Sequence, residues 1–536
     1  MTDIVLINPK FEASYWGFEY AQKIFGKRAN MPVACLPLLA ALTPAEHQIT
    51  LVDENVEPLD WNRLARADIV GLTGMGVQRF RMMEILRGLK EKGVFTVVGG
   101  PWATVQESDF DGLGDVVFVA EAEETWPRFL EDWKSGKHAS RYEALDKPDM
   151  TKVPPPRLDL LKNDRYMFGS VQFSRGCPFQ CEFCDIIVTF GRKVRIKTAE
   201  QVIQELEVLR TNGMQIAFIV DDNLIGNKKE IKPILAEMAA WQERNRYPLA
   251  FSCEASLDLC EDEELMELMA RSNIQSVFIG IESPNEDSLR ETKKYQNVRA
   301  RGGTMLEKIH NIQDFGLEIW CGLIVGFDND DPSIFDRQLR FIKASRIAHA
   351  MVGPLHAIPK TPLHDRLRDE GRLDLSGGAE YGTNVVPLGM TREQLRDGYI
   401  ETMQAAYEPD AYFDRLEQLF LRDGFHYRVF ETEYFKQHFW LRMKQHVMYF
   451  FGFLYMFARL MIWTDRFSLR REYAKRILRA MWARPTEPVV YFYLVVKCAM
   501  HYHHHKLAED MAADPDQIVS SFGKLKTPAE ELAVAS

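Results

Sequence analysis

Cys177, Cys181 and Cys184 stand at C-x3-C-x2-C spacing in the stretch from Ser174 to Asp185. Three thiolates can hold three corners of a cubane [4Fe-4S] cluster and leave its fourth iron open to a substrate, whereas ordinary electron-transfer clusters take four cysteines. The triplet therefore suggests an iron that binds and cleaves something. Zinc is the competing chemistry, but structural zinc wants four ligands from paired C-x2-C units. No second pair exists, because Cys35, Cys253, Cys260, Cys321 and Cys498 are scattered singly.

Short apolar runs separated by helical patterns predict strands at Val171–Ser174, Ile216–Val220, Ala250–Cys253, Val277–Gly280, Ile319–Val325 and Leu355–Ala357. Six such strands in parallel would make a partial barrel. The first is followed by the cysteine triplet, the second by Asp221, Asp222 and Asn223, the third by Glu254, the fourth by Glu282, and the fifth by Gly326 and Asp328. Barrel enzymes build their sites at the carboxyl ends of strands, so these groups are expected to converge on one mouth. An isolated acid at such a place would equally serve as a helix cap. Reactive groups at five consecutive strand ends favour the site.

Elements that precede the barrel carry the same alternation. Residues 1–150 place apolar runs at Ile4–Ile7, Thr50–Val52, Ile69–Leu72, Phe95–Val98 and Val116–Val119, with a helix near Met82–Lys92. That pattern predicts a doubly wound parallel sheet of the Rossmann type, with ligands beyond the carboxyl ends of its strands. The loops Thr73–Gly76 and Gly99–Pro101 lie there, and their glycines would let backbone approach a large flat ligand, although tight turns need glycine for their own sake. A proline-rich joint at Lys152–Arg157 predicts a stiff linker over 151–165. The expected organisation is then a partial barrel over 166–365, a helical extension over 366–430 and an aromatic-rich helical region over 431–536.

With 536 residues the chain has room for two or three domains. Unevenly spaced cysteines and the absence of a leader at Met1 predict a reducing, cytoplasmic location. A net charge of -11 argues against nucleic acid as a partner.

Cys177-Pro-Phe-Gln-Cys-Glu-Phe-Cys184 resembles the signature of the radical S-adenosylmethionine superfamily. With a parallel-sheet domain ahead of it, the chain resembles the subgroup that carries an N-terminal cobalamin-binding domain. Cys181–Asp185, Val220–Asn223, Cys253–Ala255, Gly280–Glu282 and Pro359–Leu363 are similar to the hopanoid C-2 methylases. The resemblance implies that Cys177, Cys181 and Cys184 ligate a [4Fe-4S] cluster whose open iron chelates S-adenosyl-L-methionine, and that reduction splits the sulfonium to a 5'-deoxyadenosyl radical. It implies that Phe183 packs adenine, that Asp221, Asp222 and Asn223 hold the amine, that Glu254 and Glu282 position the ribose and methionine portions, and that Gly326 lets backbone approach adenine. Cobalamin would lie against Thr73, Gly74, Gly99 and Gly100. The Asp-x-His-x-x-Gly motif of many cobalamin proteins is missing, so its lower face is expected to carry no histidine ligand. The implied activity is methyl transfer to an unactivated carbon of a lipid-like, polycyclic or isoprenoid substrate, with a reductase, flavodoxin or ferredoxin as electron donor. Two alternatives use the same parts: a ring closure like that of the anaerobic magnesium-protoporphyrin cyclases, and a membrane-attached redox or cobalamin sensor.

After Asp410 the sequence turns helical and rich in Phe, Tyr, Trp and Met. The uncharged run Val447–Ala458 falls short of the ~20 residues a membrane crossing needs. Leu469–Arg484 sets a cationic face against an aromatic one, as suits a helix lying on an anionic membrane surface. A cap over the open barrel is the alternative use of these aromatics. His501, His503, His504 and His505 are expected to be solvated residues at a helix end rather than a metal site, since chain neighbours do not all face one ion.

Overall fold

Two parallel six-stranded sheets organise the chain in the computed structural model, which describes residues 1–299, 301–374, 382–422 and 429–515. The first sheet contains β1 (Asp3–Asn8), β2 (Gln48–Asp53), β3 (Ile69–Thr73), β4 (Thr96–Gly99), β5 (Val116–Val119) and β6 (Arg141–Glu143) in the order β2-β1-β3-β4-β5-β6. Ile4, Val5, Leu6 and Ile7 are all buried because helices cover both faces, which is why the run is continuously apolar instead of alternating.

The second sheet runs β14-β13-β12-β11-β10-β7, all parallel. Its members are β7 (Gly169–Val171), β10 (Ile216–Ile219), β11 (Ala250–Ala255), β12 (Ile274–Glu282), β13 (Glu318–Val325) and β14 (His349–Pro354). Two expectations shift here. The run Val171–Ser174 is broken, because the chain leaves the sheet after Val171 and re-pairs as a small antiparallel ribbon of β8 (Ser174–Arg175) with β9 (Arg195–Ile196). Leu355–Ala357 is not a strand. The sixth strand ends at Pro354, and Leu355 and Ala357 pack with Phe327 and Leu363 beyond its end.

The two sheets are fastened by buried charge. Glu121, just past β5, accepts from Arg175 at 2.7 Å and from Arg195 at 2.8 Å, so the first sheet grips both arms of the β8–β9 ribbon. Tyr166 donates to Asp53 at 2.9 Å, and Lys360 reaches the Thr104 carbonyl at 2.6 Å.

The open side of the barrel is filled by the helix Pro488–Ala513 and the segment Ser14–Phe18. Lys497 is fully buried and donates to both oxygens of Glu318 at 2.6 and 2.7 Å, at the start of β13. The histidine expectation is overturned at this place. His501, His503 and His504 are buried mid-helix, His504 stacks on Tyr15 with ring centroids 4.2 Å apart, and His503 and His501 donate to the carbonyls of Ser14 and Tyr407 at 2.8 and 3.0 Å. They are spread around the helix and bond to backbone from different sides, and burial drives their pKa values down, so they plug the barrel as neutral rings.

The apolar run at 447–458 also belongs to something longer than expected. It lies inside a continuous helix, Phe439–Trp463, whose 25 residues are by length and composition enough to cross a membrane. Lys444 and Arg459, the charges on either side of the run, lie within the helix without ending it.

Candidate active site

The loop between β8 and β9 carries the three cysteines, and glycine makes its entry possible. Gly176 has φ 94, and a Cβ there would stand 2.7 Å from the Lys193 carbonyl. Its N–H donates to Asp222 at 2.7 Å, while Glu182 N donates to the Thr292 carbonyl at 3.0 Å, so both ends of the triplet are anchored to the barrel. Cys177, Cys181 and Cys184 line one cavity of about 800 Å³. Among the described residues no group of three His, Cys, Asp or Glu is gathered tightly enough for a single metal ion. Amide donors face the sulfurs, with Asn223 Nδ2 3.8 Å from Cys177 Sγ and Gln296 Nε2 3.7 Å from Cys181 Sγ, as outer partners of an iron–sulfur site do. Burial pushes the Cys177 thiol up and the Cys184 thiol well up, a cost that bound iron would relieve.

The acidic groups named from sequence converge on this cavity, with distinct tasks. Asp222, Glu254 and Glu282 line it. Burial pushes Asp222 up to about 7 and Glu254 up to about 8, the latter raised further by repulsion from Asp222 and Asp221. Asp221 also borders the cavity but spends its oxygens on the chain, accepting from Phe173 N at 2.7 Å and Ser174 Oγ at 2.6 Å. These bonds fix the start of the cysteine loop. Asn223 donates to Ser256 Oγ at 3.1 Å. Glu282 occupies the left-handed region at φ 64, a strained conformation for a side-chain-bearing residue, and accepts from Lys294 at 2.7 Å. Burial opposes the Lys294 charge, but Glu282 and the neighbouring cysteines outweigh it and hold the ammonium above the usual lysine range.

Phe183 lines the cavity and packs 6.2 Å from Phe327, centroid to centroid. Gly326 does not line it. Its N–H donates to Asp330 at 3.0 Å, and a Cβ at its φ of 99 would stand 2.9 Å from Leu395.

Across the cavity the wall comes from the first sheet. None of Thr73, Gly74, Gly99 and Gly100 lines it; the lining begins one residue later, with Met75, Gly76 and Val77 after β3 and Pro101, Trp102 and Val105 after β4. The four residues instead build the turns that aim this wall. Gly100 has φ 97 and ψ -174, and a Cβ on it would meet Thr73 Oγ1 at 2.3 Å. Among the described residues no histidine lines the cavity.

The radical SAM superfamily matches residues 171–342, and a domain of unknown function, DUF4070, matches 361–517. An uncharacterized methyltransferase of Synechocystis sp. is 40% identical over 78% of this chain and 79% of its own. The hopanoid C-2 methylase of Rhodopseudomonas palustris is 32% identical over 77% of this chain and 78% of its own. The chain belongs to the radical SAM methyltransferase family. A solved structure of the cobalamin-dependent S-adenosylmethionine radical enzyme OxsB, with aqua-cobalamin and S-adenosylmethionine bound, shares the fold at a TM-score of 0.59 and 14% identity, covering 96% of this chain and 80% of that one.

For a radical SAM methyltransferase the charge pattern is apt. S-adenosylmethionine carries an ammonium, a sulfonium and one carboxylate, and among the described lining residues seven acids stand against the single ammonium of Lys294. Lys294 was not legible as a site residue, because Lys293-Lys294 in sequence resembles an ordinary exposed pair. The same is true of Glu19, which lines the far end of the cavity at the start of the helix Glu19–Phe25 and whose carboxyl burial pushes up to about 7. Trp16 also borders the cavity, 5.0 Å from Phe278 by ring centroids.

Proposed function

We propose that the protein is a cobalamin-dependent radical methylase that puts a methyl group on an unactivated carbon of a lipid-like, polycyclic or isoprenoid substrate. The observation that carries this reading is the single cavity that brings the three cysteines, the acidic groups and Lys294 face to face with the Met75–Val77 and Pro101–Val105 wall. Because the cysteine wall and the first-sheet wall face one continuous space, two cofactors and a substrate carbon could meet there without an intermediate leaving. When bound, the cluster and S-adenosylmethionine supply a hydrogen-abstracting radical, and cobalamin supplies the methyl group.

The chain's own residues orient and exclude water. Cys177, Cys181 and Cys184 hold the cluster, with Asn223 and Gln296 donating toward two of the sulfurs. Asp222 and Glu254 take the ammonium of S-adenosylmethionine and the hydroxyls of its ribose, Lys294 takes the carboxylate, and Phe183 packs on adenine. Met75, Val77, Pro101, Trp102 and Val105 give cobalamin an apolar seat. Tyr399, Met403, Leu507 and Met511 close the remaining wall with largely apolar surface, which supports an apolar substrate, and Glu19 and Gln22 offer polar contacts at its far end.

The relative named a hopanoid C-2 methylase supports the lipid-like substrate. All eight cysteines are unpaired, which supports work in the reducing cytoplasm, where a flavodoxin, ferredoxin or dedicated reductase can deliver electrons. The deciding experiment is anaerobic incubation of the reconstituted protein with methyl-deuterated S-adenosylmethionine and host lipid extract. A lipid product carrying the deuterated methyl supports the reading; a product oxidised without methyl gain supports ring closure, and no deoxyadenosine at all defeats both.

A further inference from the structure

The helix Phe439–Trp463 is apolar on the wrong side for a soluble protein. Trp440, Met443, Val447, Phe451 and Leu454 recur every three to four residues along one face, with Ile462 about two turns further on, and that face points outward, with Trp440 82%, Phe451 64% and Ile462 65% exposed. The opposite face is satisfied. Phe453, Met456 and Leu460 are buried, Phe453 lying 5.8 Å from Tyr491 of the Pro488–Ala513 helix by ring centroids. The next helix, Phe467–Ala483, continues the pattern with Phe467 79% and Trp482 91% exposed. Scattered single hydrophobics need no explanation, but a stripe of this length does.

Charge identifies the occupant. From 439 to 484 the sequence holds ten Arg and Lys against Asp465 and Glu472, in a chain whose net charge is -11. Arg442, Lys444 and Arg471 are exposed beside the aromatic stripe. We propose that this face docks the enzyme on an anionic lipid bilayer, with the Phe439–Trp463 helix lying in the plane of the interface.

Crossing the bilayer would require the helix to leave the body of the protein, which its fastenings oppose. Arg459 donates to the Ile24 carbonyl at 2.9 Å and to that of Lys23, capping the helix Glu19–Phe25, and Lys23 stands 5.2 Å over the Trp463 ring. A second copy of the chain is disfavoured as the occupant, because an isologous contact would set like cationic rims against each other. The same helix that Arg459 caps presents Glu19 and Gln22 to the cavity, so the docked face abuts a cavity wall. That this serves delivery of an apolar substrate rests on the methylase reading; the docking does not.

The test is flotation of the full-length, cluster-reconstituted protein with vesicles of phosphatidylcholine alone or with about a third phosphatidylglycerol. The protein is expected to float with the anionic vesicles and to be released by salt and by alkaline carbonate. Trp440→Ser/Phe451→Ser/Ile462→Ser and, separately, Arg442→Glu/Lys444→Glu/Arg471→Glu should each weaken flotation about tenfold or more while keeping the wild-type Tm. No flotation of the wild type, flotation of both triple variants equal to that of the wild type, retention after carbonate, or a dimer in solution that the serine variant abolishes would each overturn the proposal. Deoxyadenosine formation without lipid reports on the methylase reading separately and should be unchanged in both variants.

Discussion

Lys294 donates to Glu282 at 2.7 Å, and both line the cavity that holds the three cysteines. The pair joins the strained end of β12, where Glu282 sits at φ 64, to the start of the short helix Tyr295–Val298. It therefore fixes a backbone conformation as well as a charge.

Lys294→Met should leave Glu282 buried without its partner and cost about 3–5 kcal/mol of stability. Lys294→Met/Glu282→Gln should recover most of that loss in thermal unfolding. Neither variant should regain affinity for S-adenosylmethionine, with binding about tenfold or more weaker by calorimetry. Recovery of binding in the double variant would limit the lysine to a structural part.

Cys181→Ala should leave fewer than four irons per chain and abolish deoxyadenosine formation, because one cluster corner has no thiolate. Cobalamin binding, which depends on the opposite wall, should persist. Iron and sulfide analysis alongside chromatography of the nucleoside product checks both halves.

Gly100→Ala forces a side chain onto φ 97 and ψ -174, a region open almost only to glycine, and sets its Cβ 2.3 Å from Thr73 Oγ1. A loss of about 1–3 kcal/mol is expected from the backbone alone. Because this turn aims Pro101 and Trp102 into the cavity, bound cobalamin measured by absorbance should fall while the iron content stays.

Glu19 gives the pH prediction. Burial raises its carboxyl from 4.5 to about 7, so the fold favours the neutral form. The unfolded chain releases this proton first as pH rises, so the stability contribution is full below about 4.5 and is lost by about pH 7. Glu19→Gln, which can still accept from Ser14 N, should therefore raise Tm at pH 8, by an effect of up to about 3 kcal/mol, and change little at pH 4.5. An equal change at both pH values would count against the buried acid.

How much of this was legible in the chain differs from element to element. Apolar runs located all five predicted strands of the first sheet, since a strand covered on both faces must be apolar throughout. They misplaced the strands at the two ends of the barrel, where Asp221 draws Phe173 and Ser174 out of register and Leu355 packs beyond β14. These are side-chain events that local composition does not encode. The histidine run failed for a related reason. Its polarity reads as exposed, and only the barrel's open side, with Ser14, Tyr15 and Tyr407 offering partners, makes burial favourable.

By itself the sequence determined the C-x3-C-x2-C spacing, the recurrence of acids after strands and the cationic aromatic helices, because covalent spacing and periodicity are properties of a linear chain. Tertiary structure alone decided that Lys294 faces Glu282 beside the cysteines, that Asp221 and Asp222 both border the cavity while anchoring the cysteine loop, that Gly326 does not line it, and that the aromatic stripe faces outward. Each of these depends on which distant segment comes to lie alongside, and therefore on desolvation and close packing that exist only once the sheets have met.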